Sequence, residues 1–263
     1  MITYNKDNSY SGWLGNVMFQ TAATIGIAIK NKMEYCFSES SFLSSFKNIK
    51  TLPNSNLRSN SYINVQETSF GYTDVVLSHG NNYNVLGYRQ SEKYFKHCED
   101  TIRLSFEFPE TVTYKCERLI QSVKNVYPDK KIISLHIRCG DYLTLKDNHT
   151  CLMDIGYYHK AVKQFNDAVF LVFSDNLDMA CQHIASLGVQ YDKVEGLSPT
   201  EDMCLMGMTD GHIIANSSFS WWAAWLSRKK IVISPSENSW FGPAYKDLYV
   251  KDIIPEIWTQ ISM

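Results

Sequence analysis

From residue 132 onward short apolar runs alternate with helical segments, and this alternation restricts the possible folds more than any other feature of the chain. IISLHI (132–137), AVFLVFS (168–174), VQYDKV (189–194), HIIA (212–215) and KIVIS (230–234) have the length of strands. Between them GYYHKAVKQF (156–165), NLDMACQHIASLG (176–188), TEDMCLMGMTD (200–210) and SSFSWWAAWLS (217–227) read as helices. Such an alternation implies a parallel sheet with helices on both faces, an α/β fold. Ligands of open parallel sheets sit beyond the carboxyl ends of the strands, so the strand exits are where function is sought.

The first half is less regular. MITY opens it as a strand, and Val17–Lys30 reads as a helix because Met18, Ala22, Ile25 and Ile29 recur at three- and four-residue steps. Gly15-Asn16 forms the expected start of that helix, with Asn16 as N-cap. Met33–Phe37 reads as a second strand. Residues 38–61 hold eight serines and four asparagines and read as a surface loop with a short helical piece around FLSSF. Order resumes over 84–95, and TYKCERLIQSVKNVY reads as a helix ending at Tyr127. PDKK (128–131) marks a boundary, which gives a first lobe over 1–128, a second over 129–250 and a tail over 251–263. A chain of 263 residues can bury a core in each lobe.

Composition narrows the class. A net charge of −2 argues against general nucleic-acid or anionic-membrane binding, and no window is apolar enough for a membrane-spanning helix. The start, MITYNKDNSY, lacks the pattern of a signal peptide. Seven scattered cysteines without a CxxC pair suggest neither a disulfide framework nor a zinc site, and reduced thiols in a cytoplasmic protein fit best. The P-loop, GxSxG and HExxH patterns are all missing. So is any D-x-D or E-x-D pair of the kind that holds a cation on a diphosphate.

Three strand exits carry polar groups. HIRCGDY places His136, Arg138 and Asp141 at the first, where Arg138 either grips an anion or forms a rim salt bridge with Asp141. FSDN places Ser174 and Asp175 at the second, where ordinary helix capping is the simpler reading. At the third, Asn216, Ser217, Ser218 and Ser220 crowd the junction between HIIA and an apolar helix, more small polar residues than one cap requires. A helix start with free N–H groups and hydroxyls is an anion site, while Trp221, Trp222 and Trp225 read as packing residues. The residues alone therefore describe a two-lobed α/β protein whose second lobe binds a phosphate-bearing ligand through arginine and helix dipoles. A nucleotide-sugar transferase or a phosphosugar-binding protein fits that description.

The motifs also resemble those of a known family. GWLGNVMFQTA, LGYRQSEKYF, HIRCGDYL, FLVFSDN and EDMCLMGMTDGHIIANSSFSWWAAWL, in that order, resemble the segments of bacterial α-1,2-fucosyltransferases, glycosyltransferase family 11. The resemblance implies a GT-B-like architecture of two Rossmann-like lobes with a cleft between them. It implies inverting, metal-independent transfer of L-fucose from GDP-β-L-fucose to the 2-hydroxyl of a galactose, as in an O-antigen or capsule unit, with no cofactor. Alternatives are a related transferase with another GDP-sugar or acceptor position, or a silent glycan- or nucleotide-binding protein. The partners implied are the GDP-sugar donor and a galactose-containing, lipid-linked acceptor, and the location cytoplasmic or peripheral at the inner membrane. By the same resemblance Arg138 holds the diphosphate with Ser217, Ser218, Phe219 and Ser220 at the helix start, and His136 and Asn216 shape the donor site. Asp175 and Asp202 lie near the nucleotide, Gly15 and Asn16 face the fucose, and Asp141 is the candidate base. Two departures stand out: Cys139 replaces a second arginine, implying a lost charge at the donor site, and Val17 replaces a glutamine. The run before GWLG is also longer than usual, which implies a displaced first strand.

Overall fold

A computed structural model describes residues 1–4, 13–49, 51–53, 55, 57, 61–229 and 231–262, with Asp141 described through its backbone alone. The long run before GWLG falls at 5–12, outside the described residues. Contacts divide the chain into two compact units, 1–109 with 248–255, and 110–247 with 256–263.

The first unit contains β1 (Ile2–Tyr4), α1 (Leu14–Lys30), β2 (Phe37–Ser38), β3 (Thr51–Leu52), β4 (Ile63–Val65), β5 (Tyr83–Val85) and α2 (Glu99–Ser105). A parallel sheet runs in the order β1-β5-β4, and β2 pairs in parallel with β3. Helix α1 is the centre of this unit, with fourteen of its seventeen residues buried. Its buried threonines are satisfied within the helix, Thr21 donating to the Val17 carbonyl at 2.8 Å and Thr24 to that of Gln20 at 2.7 Å. Gly26 is dictated by close approach: a Cβ there would sit 2.1 Å from the Tyr94 carbonyl oxygen.

Two sequence expectations change in this unit. Helix α1 begins at Leu14, with Trp13 in the N-cap position and no side-chain cap. Asn16 is therefore inside the first turn, and its side-chain oxygen instead accepts a hydrogen bond from Gln90 at 2.8 Å. Residues 38–61 are more than a surface loop: besides contributing to β2 and β3 they bury Leu43, Phe46 and Leu57. The Phe46 ring lies 5.0 Å from Phe106 and 5.7 Å from Phe108, so isolated aromatics anchor a polar sequence. Segment 248–255 is fixed by Asp252, which is buried, accepts from the Tyr72 amide at 2.8 Å and pairs with Lys93.

The second unit contains α3 (Glu110–Val126), β6 (Lys131–Ile137), α4 (Tyr157–Val162), β7 (Ala168–Ser174), α5 (Leu177–Ala185) and β8 (Tyr191–Lys193). It continues with α6 (Pro199–Gly207), β9 (Gly211–Ile213), α7 (Ser218–Ser227), β10 (Val232–Pro235) and β11 (Thr259–Ile261). Its sheet is parallel in the order β11-β10-β9-β6-β7-β8. The alternation in the sequence is thus realised as an α/β parallel sheet. Helix α3, assigned to the first lobe from sequence, groups here because its narrow buried face, Cys116 and Ile120, packs on α6. Lys115 pairs with Glu201 at 2.7 Å across that seam. The expected tail at 251–263 also divides, its last part adding β11 to the sheet edge.

Period-two alternation gives β6 two distinct faces. Ile133, Leu135 and Ile137 enter an apolar cluster with Tyr157, Tyr158, Phe170 and Val172. Ser134 and His136 face the other way, beneath α7. There His212 of β9, fully buried, has Nδ1 2.7 Å from the Ser134 hydroxyl and Nε2 2.8 Å from that of Ser227. Burial pushes the His212 imidazole down to about 3, so it is neutral at pH 7. Trp221, Trp222 and Trp225 are buried as packing residues, with Trp258 5.4 Å from Trp221. Among the described residues no helix is long and apolar enough to cross a membrane.

Candidate functional site

Strand register builds the site. Ile137 of β6 pairs with Ser174 of β7, and Leu135 of β6 with Ile213 of β9. Arg138, Asp175 and Asn216 consequently leave three adjacent strands at one level, at the carboxyl edge where ligands of such sheets bind. Arg138 Nη1 lies 2.9 Å from Asp175 Oδ2, and the guanidinium carbon stands 5.5 Å from the centre of the Tyr142 ring. The other Asp175 oxygen accepts from the Cys139 amide at 2.8 Å. Gly140 leaves room for this arrangement, since a Cβ there would meet Asp175 Oδ2 at 2.3 Å. The ion pair described at this exit is with Asp175; the Asp141 side chain lies outside the described residues. About a quarter of each side chain of the pair stays exposed, 23% for Arg138 and 26% for Asp175.

His136 lies under the same edge, 5% exposed, with its ring 5.7 Å from Phe219 at the start of α7. Burial is the main reason its imidazole is pushed down to about 4; Asp175 opposes that shift and Arg138 adds to it. The ring is neutral at pH 7, and its Nδ1 has no hydrogen-bond partner among the described residues.

The serines at the third exit divide into two sets. Ser217 is the N-cap of α7, its hydroxyl accepting from the Phe219 amide at 3.4 Å. Ser220 is fully buried, accepting from the Ala215 amide at 3.2 Å and donating to the Ser217 carbonyl at 3.4 Å. The buried Asn216 amide donates to the carbonyls of Thr150 at 3.0 Å and Trp240 at 2.8 Å. Asn216 and Ser220 therefore tie the junction together, whereas Ser217, Ser218 and Phe219 are half-buried at the helix start, where N–H groups give a positive end.

Not every expected residue joins this cluster. Asp202 sits in the first turn of α6, behind a capping box of Ser198 and Glu201. Burial, with the Glu201 charge second, pushes its carboxyl up to about 7. Gly15 and Asn16 belong to the first unit, where Gly15 is buried in α1 and Asn16 is held by Gln90. Cys139 shares the parity of Leu135 and Ile137, not that of Arg138. With those two residues and Ile133 it enters the apolar cluster, fully buried, its sulfur 3.7 Å from the Ser174 hydroxyl. Tyr142 and Gln90 are not singled out by the sequence, although each lies inside a recognised segment; side-chain contact is the missing signal.

Comparison with known proteins adds four findings. The profile of Glycosyl transferase family 11 matches residues 5–252. An alpha-1,2-colitosyltransferase of Escherichia coli is 32% identical over 188 residues, 67% of this chain and 62% of the relative. The O-antigen biosynthesis glycosyltransferase WbnK of Escherichia coli is 32% identical over 184 residues, 65% of this chain and 60% of the relative. The matched region thus spans about three fifths of each of these relatives. Among solved structures, NodZ alpha-1,6-fucosyltransferase soaked with GDP-fucose superposes with a TM-score of 0.53 at 12% identity, covering 91% of this chain and 94% of that one. This last likeness is one of fold.

Proposed function

On the premise that the chain belongs to glycosyl transferase family 11, we propose that it transfers L-fucose from GDP-β-L-fucose to the 2-hydroxyl of a galactose, with inversion and without a metal ion. The acceptor in this reading is a bacterial surface glycan. The observation that carries the reading is the placement of Arg138 on Asp175, level with the junction that leads into α7. In the transfer, the acceptor oxygen forms a bond to the fucose anomeric carbon while the bond from that carbon to the β-phosphate oxygen breaks. The bonding pair leaves with GDP, and the hydroxyl proton passes to a base, for which Asp141 is the candidate. Negative charge grows on the diphosphate as the bond breaks. A fixed guanidinium and a helix start offer preorganised positive charge to it, and removing one such donor typically costs about 10²–10³ in rate.

The remaining residues take supporting roles in this reading. Neutral His136 offers a buried hydrogen-bonding nitrogen without adding charge beside Arg138. Ser217, Ser218 and the Phe219 amide meet the phosphates, while Asn216 and Ser220 keep that helix start in place. Asp202, outside the Arg138 cluster, is in this reading a polar contact or a structural anchor near the nucleotide. One observation favours a second donor: the 32% identical Escherichia coli relative is a colitosyltransferase, so a GDP-sugar related to fucose is the alternative substrate.

The test is a mass-spectrometric transfer assay with GDP-fucose and a panel of β-galactosides under excess chelator, with GDP-colitose, GDP-mannose and UDP-sugars in parallel. Addition of a deoxyhexose to galactose supports the reading; transfer from another donor alone replaces fucose in it, and loss of transfer on chelation removes its metal-independence. Arg138→Ala is expected to lower transfer by about 10²–10³ with the melting temperature nearly unchanged. Activity close to that of the parent would remove Arg138 from the diphosphate.

A further inference from the structure

Arg138 is paired with Asp175 and its guanidinium carbon stands 5.5 Å from the centre of the Tyr142 ring, and Tyr142 rests on something in turn. The Tyr142 and His149 rings are stacked with centres 4.0 Å apart and planes within 1°. The Tyr142 hydroxyl donates to the Asn216 carbonyl at 2.9 Å, so the phenol ring is fixed at its tip by the β9–α7 junction and on its face by His149. His149 is itself built into a double strap. It bridges Phe241 in antiparallel register, Thr150 donates to the Phe241 carbonyl at 2.8 Å, and the Gly242 amide donates to the Asn148 carbonyl at 2.9 Å. Gly242 admits no side chain, since a Cβ there would lie 2.5 Å from the Lys146 carbonyl oxygen. Asn216 joins the two straps through its bonds to Thr150 and Trp240. Every part of this support lies in the second unit.

We propose that His149 is a positioning residue for Arg138, acting as the backing plate that holds the Tyr142 ring against the guanidinium. The inference rests on the reading of Arg138 as the diphosphate ligand. A cation over an aromatic face is attracted to it, but only in the geometry the ring adopts. Removing the plate frees the phenol to tilt about its hydroxyl anchor, and the guanidinium loses the fixed ring face it stands over. Charge that must meet a transition state is sensitive to such displacement, more so than ground-state binding of the nucleotide.

The experiment compares His149→Ala with His149→Phe, which keeps a flat ring in the strap. Crystal structures of both variants read the support directly, whatever sugar the protein transfers. Arg138 is expected to leave the Tyr142 face in His149→Ala and to keep it in His149→Phe. An unmoved guanidinium in His149→Ala overturns the inference even if the donor reading stands. Kinetics with saturating GDP-fucose supply the second readout. His149→Ala is expected to lose about tenfold to a hundredfold in kcat, with calorimetric affinity for GDP changed less than about threefold, and His149→Phe to recover kcat to within about threefold. Equal losses in the two variants also overturn it, because a flat ring would then not be what His149 supplies. A parent enzyme silent with GDP-fucose speaks against the donor reading and leaves the structural comparison to decide the role of His149.

Discussion

Arg138 and Cys139 are covalent neighbours at the end of one strand, and they belong to two different environments. Arg138 follows Ser134 and His136 on the polar side of β6 and keeps about a quarter of its side chain in solvent. Cys139 follows Ile133, Leu135 and Ile137 into the apolar cluster and is fully buried. The difference teaches that a motif read as a string of site residues can be split by strand parity. One peptide bond beyond the polar residue, the chain is already core. The cysteine in place of a second arginine is therefore a member of the apolar cluster rather than an open gap in the Arg138–Asp175 pair. Burial pushes its thiol upward, so it is a neutral packing group.

The sharpest way to break this comparison is Cys139→Arg. A long cation at this buried position overpacks the apolar cluster, and the expected cost is about 3–5 kcal/mol, read as a fall in the urea midpoint or loss of soluble protein. A stable Cys139→Arg protein with raised donor affinity would put position 139 in the site and remove the parity argument. Gly140→Ala probes the polar side with a smaller change. Its Cβ would press on Asp175, which must turn away from Arg138 and the Cys139 amide, and transfer is expected to fall about tenfold with about 1–2 kcal/mol of stability. Transfer at the parent rate would show that Asp175 does not position Arg138.

The smallest effect is in pH. His136 and His212 both lie on the polar side of the sheet, with values pushed down to about 4 and about 3 against a usual 6.5. Below pH 6.5 the unfolded chain takes up these protons first, so stability is full above that value. It then falls as pH drops towards the folded values, by at most about 1.4 kcal/mol per pH unit for each ring. Asp202 works the other way: raised to about 7, it favours the folded state at low pH and loses that contribution as pH rises through 7. Urea midpoints between about pH 8 and pH 5 in an Asp202→Asn background separate the two. A flat profile there would mean that the histidines are hydrated in solution, and the closed polar side of β6 would not hold.

Much of the second unit is legible directly from the amino acids. Apolar runs of strand length separated by helical segments dictate a parallel sheet, and β6, β7, β9 and β10 fall where those runs are. The short edge strand β11 is not legible, because Thr259–Ile261 is mostly polar and becomes a strand only by pairing with β10. The first unit is harder to read. Helix α1 is buried nearly all round, so its apolar period does not mark its start, and Asn16 looks like a cap in sequence because nothing local announces Gln90.

For the candidate site, sequence alone determined the residue types and the strand exits at which they emerge: an arginine after β6, an aspartate after β7 and a serine-rich turn after β9. Those assignments are local, since strand length and the polar residue at its end lie within a few positions of each other. Tertiary structure decided the pairings. Arg138 meets Asp175, distant along the chain, because Ile137 and Ser174 are in register. Its other neighbour, Tyr142, is backed by His149 because straps from 145–150 and 240–245 close under it. Register and loop packing are set by the summed burial of many side chains on several strands, and no single stretch of sequence contains that sum.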